Sequence, residues 1–244
     1  MQHVLIFGAT SAIAVETARA FAKEGAAFYL VARNEAALGD LAADLKVRGA
    51  ASVETQSADL ADLDRLPLLC EAAVGSLGRI DFALIAHGVL PDQSACEKSA
   101  RETLETMRVN AMSPAMLMTE IASALDEQGG GTLAVISSVA GDRGRPSNYI
   151  YGASKALLSV LGEGMALKFA GSAVRVITVK PGFVDTPMTA AFPKGALWSS
   201  AEAVGQAIFA AARAGRSGVL YVPFWWRFIM LVIKFAPGAL VKRL

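Results

Sequence analysis

Cysteine is scarce: Cys70 and Cys96 are the only two in 244 residues, and they stand in neither a CxxC nor a metal-ligand spacing. That pattern argues against a disulfide framework and a zinc site, and it fits a reducing compartment. The first apolar stretch, Val4 to Phe7, lacks the basic start and cleavage site of a secretory leader, so the expected location is cytoplasmic. A strong charge of one sign is missing too. The formal net charge is +1, which excludes the basic excess of a nucleic-acid footprint. Acid is absent from one region in particular: after Glu202 there is none, whereas Arg213, Arg216, Arg227, Lys234, Lys242 and Arg243 all follow it. No internal repeat or low-complexity linker divides the chain, and its length suits one large α/β domain. What the sequence has in excess is apolar residues, 54% of the total, more than a single core of this size usually takes.

Short apolar or alternating runs bounded by Gly, Pro or polar residues predict strands at Val4–Phe7, Phe28–Ala32, Val53–Gln56, Phe82–Ala86, Leu133–Ser137, Val174–Val179 and Val219–Val222. Longer segments with helical periodicity lie between them: Ile13–Glu24, Glu35–Val47, Leu63–Leu77, Ala100–Leu125, Tyr151–Phe169 and Ala201–Ala214. Strict alternation of this kind predicts a Rossmann-type, doubly wound parallel sheet with helices on both faces, because each parallel crossover needs about a dozen residues. Ligands of such sheets bind beyond the carboxyl ends of the strands.

Two clusters occupy those ends. The first strand runs into Gly8-Ala9-Thr10-Ser11-Ala12-Ile13-Ala14 and then a helix, a small-residue turn that brings backbone N–H groups and a helix N-terminus towards a pyrophosphate. Arg33 follows the second strand, where a guanidinium can meet a 2′-phosphate and an acid would have met ribose hydroxyls. The second cluster is Tyr151-Gly152-Ala153-Ser154-Lys155, preceded by Ser137-Ser138-Val139-Ala140-Gly141. Tyr151 and Lys155 are i and i+4, hence on one helix face about a turn apart. A phenol is a weak acid–base group at neutral pH, and a nearby ammonium is expected to lower its pKa towards the working range. Ser138 would donate a hydrogen bond to a carbonyl oxygen that gains negative charge.

These residues, with Arg108-Val109-Asn110-Ala111 and Pro181-Gly182-Phe183-Val184-Asp185-Thr186, resemble the short-chain dehydrogenase/reductase family from Val4 to about Val222. The resemblance implies catalytic roles for Asn110, Ser138, Tyr151 and Lys155, with Asn110 supporting a water chain to the lysine. It also implies a nicotinamide cofactor held by Gly8, Thr10, Ser11, Ala12, Ile13, Arg33, Asp59, Leu60, Ala86, His87, Gly88, Tyr151, Lys155, Pro181, Gly182, Val184 and Thr186. Ala12 and Ala14 stand where the family's G-x-x-x-G-x-G has its later glycines, and Ala86-His87-Gly88 keeps only the last residue of its N-N-A-G segment. His87 is read as structural rather than catalytic, and Tyr149 as pocket wall. Arg33 favours NADP(H), with NAD(H) left open, and no metal is implied.

Residues 1–222 read as the dinucleotide-binding and catalytic part, and 223–244 as an apolar, basic C-terminal extension of the same domain. In Phe224–Phe235 the only charges, Arg227 and Lys234, fall on one helical stripe. The segment is too short to span a bilayer, which leaves the membrane interface, a partner subunit or a roof over the substrate as its cover. This ending resembles that of the decaprenylphosphoryl-2-ketoribose reductase group, which implies a polyprenyl-phosphate-linked keto-sugar as substrate. The leading expectation is therefore reduction of a ketone to a secondary alcohol, or the reverse, by a homo-oligomer (dimer or tetramer) touching the membrane through residues 224–235. Reduction of a soluble ketone or 3-oxoacyl thioester is the alternative within enzymes. A catalytically silent nucleotide-binding protein is the alternative outside them.

Overall fold

Alternating short apolar runs and amphipathic helices build the doubly wound sheet expected of them. The computed structural model describes Met1–Lys242; Arg243, part of the basic ending, lies outside the described residues. The strands are β1 (His3–Phe7), β2 (Ala27–Ala32), β3 (Ser52–Ser57), β4 (Phe82–Ile85), β5 (Gly131–Ile136), β6 (Val174–Pro181), β7 (Phe183–Asp185), β8 (Trp198–Ser200) and β9 (Gly218–Val222). The helices are α1 (Ala12–Ala22), α2 (Glu35–Val47), α3 (Leu66–Leu77), α4 (Gln93–Lys98), α5 (Ala100–Met107), α6 (Ser113–Glu127), α7 (Tyr149–Lys168), α8 (Ala201–Arg213), α9 (Trp226–Phe235) and α10 (Gly238–Val241). Seven strands pair in the order β3-β2-β1-β4-β5-β6-β9, and β7 pairs with β8 in a separate two-stranded piece. Every pairing in the large sheet is parallel.

Alternate strand residues face opposite layers. Val4, Ile6, Phe28 and Leu30 pack with Phe21, Leu38, Val204 and Ile208 of α1, α2 and α8. Leu5, Phe7, Tyr29 and Val31 pack with Leu66, Leu117, Ile121 and Leu158 of α3, α6 and α7. Burial on both faces explains why β1 and β2 read as continuous apolar runs. Gly205 lets α8 lie close on α1, since a Cβ there would come within 2.8 Å of the Glu16 and Thr17 backbone.

One expected element divides in two. The periodicity predicts a single helix over Ala100–Leu125, but α5 and α6 are separated by a π-turn at Arg108–Met112, closed by a bond from the Ser113 N–H to the Arg108 carbonyl. The cause is Pro114. It has no N–H to give the carbonyl four residues back, that of Asn110, and its ring crowds that carbonyl, so the ladder widens there. The widened turn places Asn110 at the end of the sheet. The strand order reverses between β1 and β4, and the crevice opens beyond their carboxyl ends.

Candidate active site

A cleft of about 540 Å³ occupies this crevice, within the range usual for small-molecule sites. Gly8, Thr10, Ser11, Ala12 and Ile13 line it from the β1–α1 turn, with Arg33 after β2 and Asp59 and Leu60 after β3. Ala86, His87 and Gly88 line it after β4, and Pro181, Gly182, Val184 and Thr186 after β6. All the residues implied for the cofactor thus face one cavity.

Gly8 has φ +77°, and a Cβ on it would lie 2.6 Å from the His87 backbone nitrogen, so the closeness of the β1 and β4 turns requires glycine. Ser11 caps α1, its Oγ accepting the Ala14 N–H at 3.3 Å. The N–H groups of Ala12 and Ile13 lack backbone acceptors among the described residues and stand at the positive end of the helix. Ala14 is wholly buried in the core, so its methyl packs between helix and sheet and stays clear of the cleft. Arg33 is exposed at the cleft edge and forms no ion pair among the described residues. The residues fit a dinucleotide: a backbone cradle with two N–H groups lacking backbone acceptors, and a guanidinium at the cleft edge in no ion pair among the described residues.

At the other end of the cleft Ser138, Tyr151 and Lys155 come together. Ser138 follows β5 and caps a 3₁₀ turn at Val139–Asp142, its Oγ accepting the Ala140 N–H at 3.1 Å. Tyr151 and Lys155 occupy successive turns at the start of α7, the ammonium 5.9 Å from the ring centroid. Two glycines let the Ser138 turn press against α7. A Cβ on Gly141 would come within 2.8 Å of the Lys155 carbonyl carbon, and one on Gly152 within 2.9 Å of the Ala140 oxygen. Ser137 Oγ donates to the Lys155 carbonyl at 2.8 Å, and Ser159 Oγ donates to the same oxygen at 2.9 Å. These positioning residues lie outside the sequence expectation, although the i, i+4, i+8 spacing of Tyr151, Lys155 and Ser159 carries the signal.

Asn110 is fully buried behind the cleft wall. Its Oδ1 accepts the Val89 N–H at 2.7 Å and its Nδ2 donates to the Val89 carbonyl at 2.8 Å. Gly88 separates it from the lysine: a Cβ on Gly88 would lie 3.1 Å from Asn110 Oδ1 and 3.4 Å from Lys155 Nζ. Lys155 Nζ donates to the Ile136 carbonyl at 3.0 Å.

The electrostatics differ from the sequence expectation for the phenol. Burial raises the Tyr151 pKa above its ordinary value, and the hydrogen bond with Ser138 offsets this only in part. The same burial pushes the Lys155 ammonium down to about 8, so the low-dielectric setting acts on both groups and outweighs the pairing between them. His87 is held down to about 3 by burial, with Lys155 and Arg33 adding repulsion, and is therefore neutral at physiological pH. Its Nε2 is 2.9 Å from the Ser113 hydroxyl.

One expectation is corrected, and one of the three covers left open for the C-terminal segment, a roof over the substrate, is not seen. Tyr149 is exposed at the start of α7 and absent from the cleft lining, because it is two positions from Tyr151 and points elsewhere on the helix. No residue of Phe224–Phe235 lines the cleft either; α9 packs beside it, through Trp226 and Met230 against Val139.

Residues 2–196 match the short chain dehydrogenase family. An uncharacterised oxidoreductase of Mycobacterium tuberculosis is 35% identical over 241 residues, which are 99% of this chain and 96% of the relative. Among solved structures, levodione reductase superposes with a TM-score of 0.82 at 23% identity, covering 91% of this chain and 95% of that one. A variant of actinorhodin polyketide ketoreductase with NADPH gives a TM-score of 0.79 at 22% identity, with the same coverage. Fold, motif order and whole-length similarity agree, and the chain belongs to the short-chain dehydrogenase family as an NAD(P)-dependent oxidoreductase.

Proposed function

We propose that the enzyme reduces a ketone to a secondary alcohol with NADP(H), and runs the reverse reaction on the alcohol. The observation that carries this reading is the single cleft shared by the Gly8 turn, Arg33, Ser138, Tyr151 and Lys155. A bound nicotinamide supplies or accepts the hydride. Tyr151 gives its phenolic proton to the carbonyl oxygen as the carbonyl carbon gains the hydride. Ser138 donates a hydrogen bond to the same oxygen, where negative charge develops. Lys155 holds positive charge beside the phenol, and Asn110 fixes the Val89 backbone that closes the cavity behind it. A ketone panel assayed for NADPH oxidation tests the reading; it fails if no ketone accelerates oxidation over the ketone-free rate.

NADP(H) is favoured over NAD(H) by the exposed, unpaired position of Arg33. A charge-assisted bond to phosphate is worth about 1.5–3 kcal/mol, or roughly tenfold to a hundredfold. NADPH should bind more tightly than NADH by that factor, and Arg33→Ala should remove most of the difference. Equal dissociation constants in the wild type, measured by nicotinamide fluorescence, contradict the assignment.

An amphiphilic ketone such as a polyprenyl-phosphate-linked keto-sugar is supported by the outer face of α9. Trp226 and Met230 point inward, whereas Phe224, Trp225, Phe228, Leu231, Val232 and Phe235 are exposed beside Arg227 and Lys234. Phe183, between the cleft-lining Gly182 and Val184, meets Trp226 edge-on at 5.6 Å, so the inward side of α9 is seated beside a segment of the site. α9 has ten residues, about 15 Å, and among the described residues no helix is long and apolar enough to cross a membrane. Peripheral contact is the form such a helix takes, with Trp and Arg at the headgroup level. The protein should sediment with anionic vesicles at low salt and lose this on replacement of Trp225, Phe228 and Leu231 by serine, its oligomeric state unchanged. A wild type that stays in the supernatant, with a triple variant that loses its oligomeric state, assigns the face to a subunit contact and favours a soluble ketone or thioester.

A further inference from the structure

A buried polar network adjoins the site without lining the cleft. Lys180 and Asp142 form an ion pair with side chains only 9% and 8% exposed. Tyr221 donates its hydroxyl to the other carboxylate oxygen of Asp142 at 2.7 Å, and the Lys180 ammonium lies 5.6 Å from the Tyr221 ring centroid. Each residue belongs to a different segment. Asp142 ends the 3₁₀ turn that Ser138 begins, Lys180 immediately precedes Pro181-Gly182, and Tyr221 is on β9, which leads into α9.

An apolar cluster joins the same three segments. Val139, Trp226 and Met230 form it, with Tyr221 packed against them. The Trp226 indole lies so close to Gly182 that a Cβ there would be 1.8 Å from Nε1. Apolar packing alone could hold these segments together, and removing two charges from water commonly costs as much as their attraction returns. What the ion pair adds is direction. A carboxylate bonded on one oxygen by an ammonium and on the other by a phenol has one orientation, whereas apolar side chains can slide.

We infer that Asp142, Lys180 and Tyr221 are positioning residues: they fix the Ser138 turn in register with Pro181-Gly182 and tie both to the seat of α9. The C-terminal helix is thereby coupled to the catalytic serine, although none of its residues reaches the cleft. The inference rests on the carbonyl-reductase reading for its kinetic arm only.

The test replaces the whole network, so that no buried charge or hydroxyl is left unpaired: Asp142→Leu, Lys180→Met and Tyr221→Phe together. The triple variant should melt close to the wild type and bind NADPH with a nearly unchanged dissociation constant. Its hydride-transfer rate should fall about tenfold or more, as misplacement of a reacting group predicts, and amide exchange at residues 138–142 should accelerate. The single variant Lys180→Arg, which keeps the pair, should retain most of the wild-type rate. Transfer rate and exchange both at wild-type values in the triple variant overturn the inference. If that variant does not fold, Tyr221→Phe decides in its place: faster exchange at 138–142 supports coupling, and unchanged exchange refutes it. A wild type that reduces no ketone defeats the functional reading alone, because exchange at 138–142 still settles the positioning claim.

Discussion

Tyr151→Phe should lower turnover by roughly a hundredfold to ten-thousandfold, the usual contribution of a positioned acid–base group, while NADPH binding stays close to wild type. The substitution removes one oxygen from a ring that remains packed at the start of α7, so the cavity keeps its shape. The lost group gives a proton to the substrate and holds little of the cofactor, which separates kcat from binding. Burial raises the Tyr151 pKa, so the phenol keeps its proton through neutral pH and ketone reduction needs no prior titration of it. Alcohol oxidation starts from the phenolate and should therefore accelerate towards alkaline pH. Turnover by the phenylalanine variant at the wild-type rate contradicts the role given to Tyr151.

Lys155→Met should damage both turnover and cofactor affinity, and it should make the folded protein more resistant to heat at neutral pH. The loss of turnover follows from removal of the cation beside Tyr151, and the loss of affinity from removal of a cation that lines the cofactor cleft. Charge-assisted bonds of about 1.5–3 kcal/mol set the expected loss of affinity at roughly tenfold to a hundredfold. The gain in stability follows from burial, which depresses the Lys155 pKa from 10.5 to about 8 in the folded protein. Between those values the unfolded chain binds a proton that the folded chain does not, so wild-type stability rises as pH goes from about 8 to about 10.5. Below about 8 the folded protein carries the full cost of a buried cation. The difference in melting temperature favouring Lys155→Met should be largest at pH 7 and shrink through that window. A variant less stable at pH 7 than at pH 10, relative to wild type, reverses the sign and refutes this reading of the lysine.

Most strands of the large sheet were legible as short apolar runs between turn residues, which burial on both faces leaves little else to do, whereas the largely exposed edge strand β3 was legible by its alternation alone. Motifs at the strand ends were legible for a related reason: Gly8 and the Tyr151–Lys155 spacing answer to local geometry. Features that depend on tertiary contact were harder to read. The break at Arg108–Met112 turns on one proline inside a strongly periodic segment, and α4, β7 and β8 are too short for a periodic signal. The pKa of Tyr151 escaped because spacing shows the neighbouring lysine but not the depth of burial, and here burial dominates. The contact between Asp142 and Lys180 spans 38 residues and the whole α7 crossover, and nothing local in either segment announces it.

Transfer of a labelled hydride tests the central claim most directly. Wild-type enzyme is supplied with NADPH carrying deuterium at the transferable position of the nicotinamide, together with the ketone that gives the fastest NADPH oxidation. The product alcohol is then read by mass spectrometry. The account predicts one deuterium on the carbinol carbon, an unlabelled hydroxyl after exchange with water, and labelled alcohol lower by roughly a hundredfold or more from Tyr151→Phe in the same time. NADPH that binds stoichiometrically but passes no deuterium to any ketone of the panel would contradict it, and would leave the cleft as a nucleotide-binding site without chemistry.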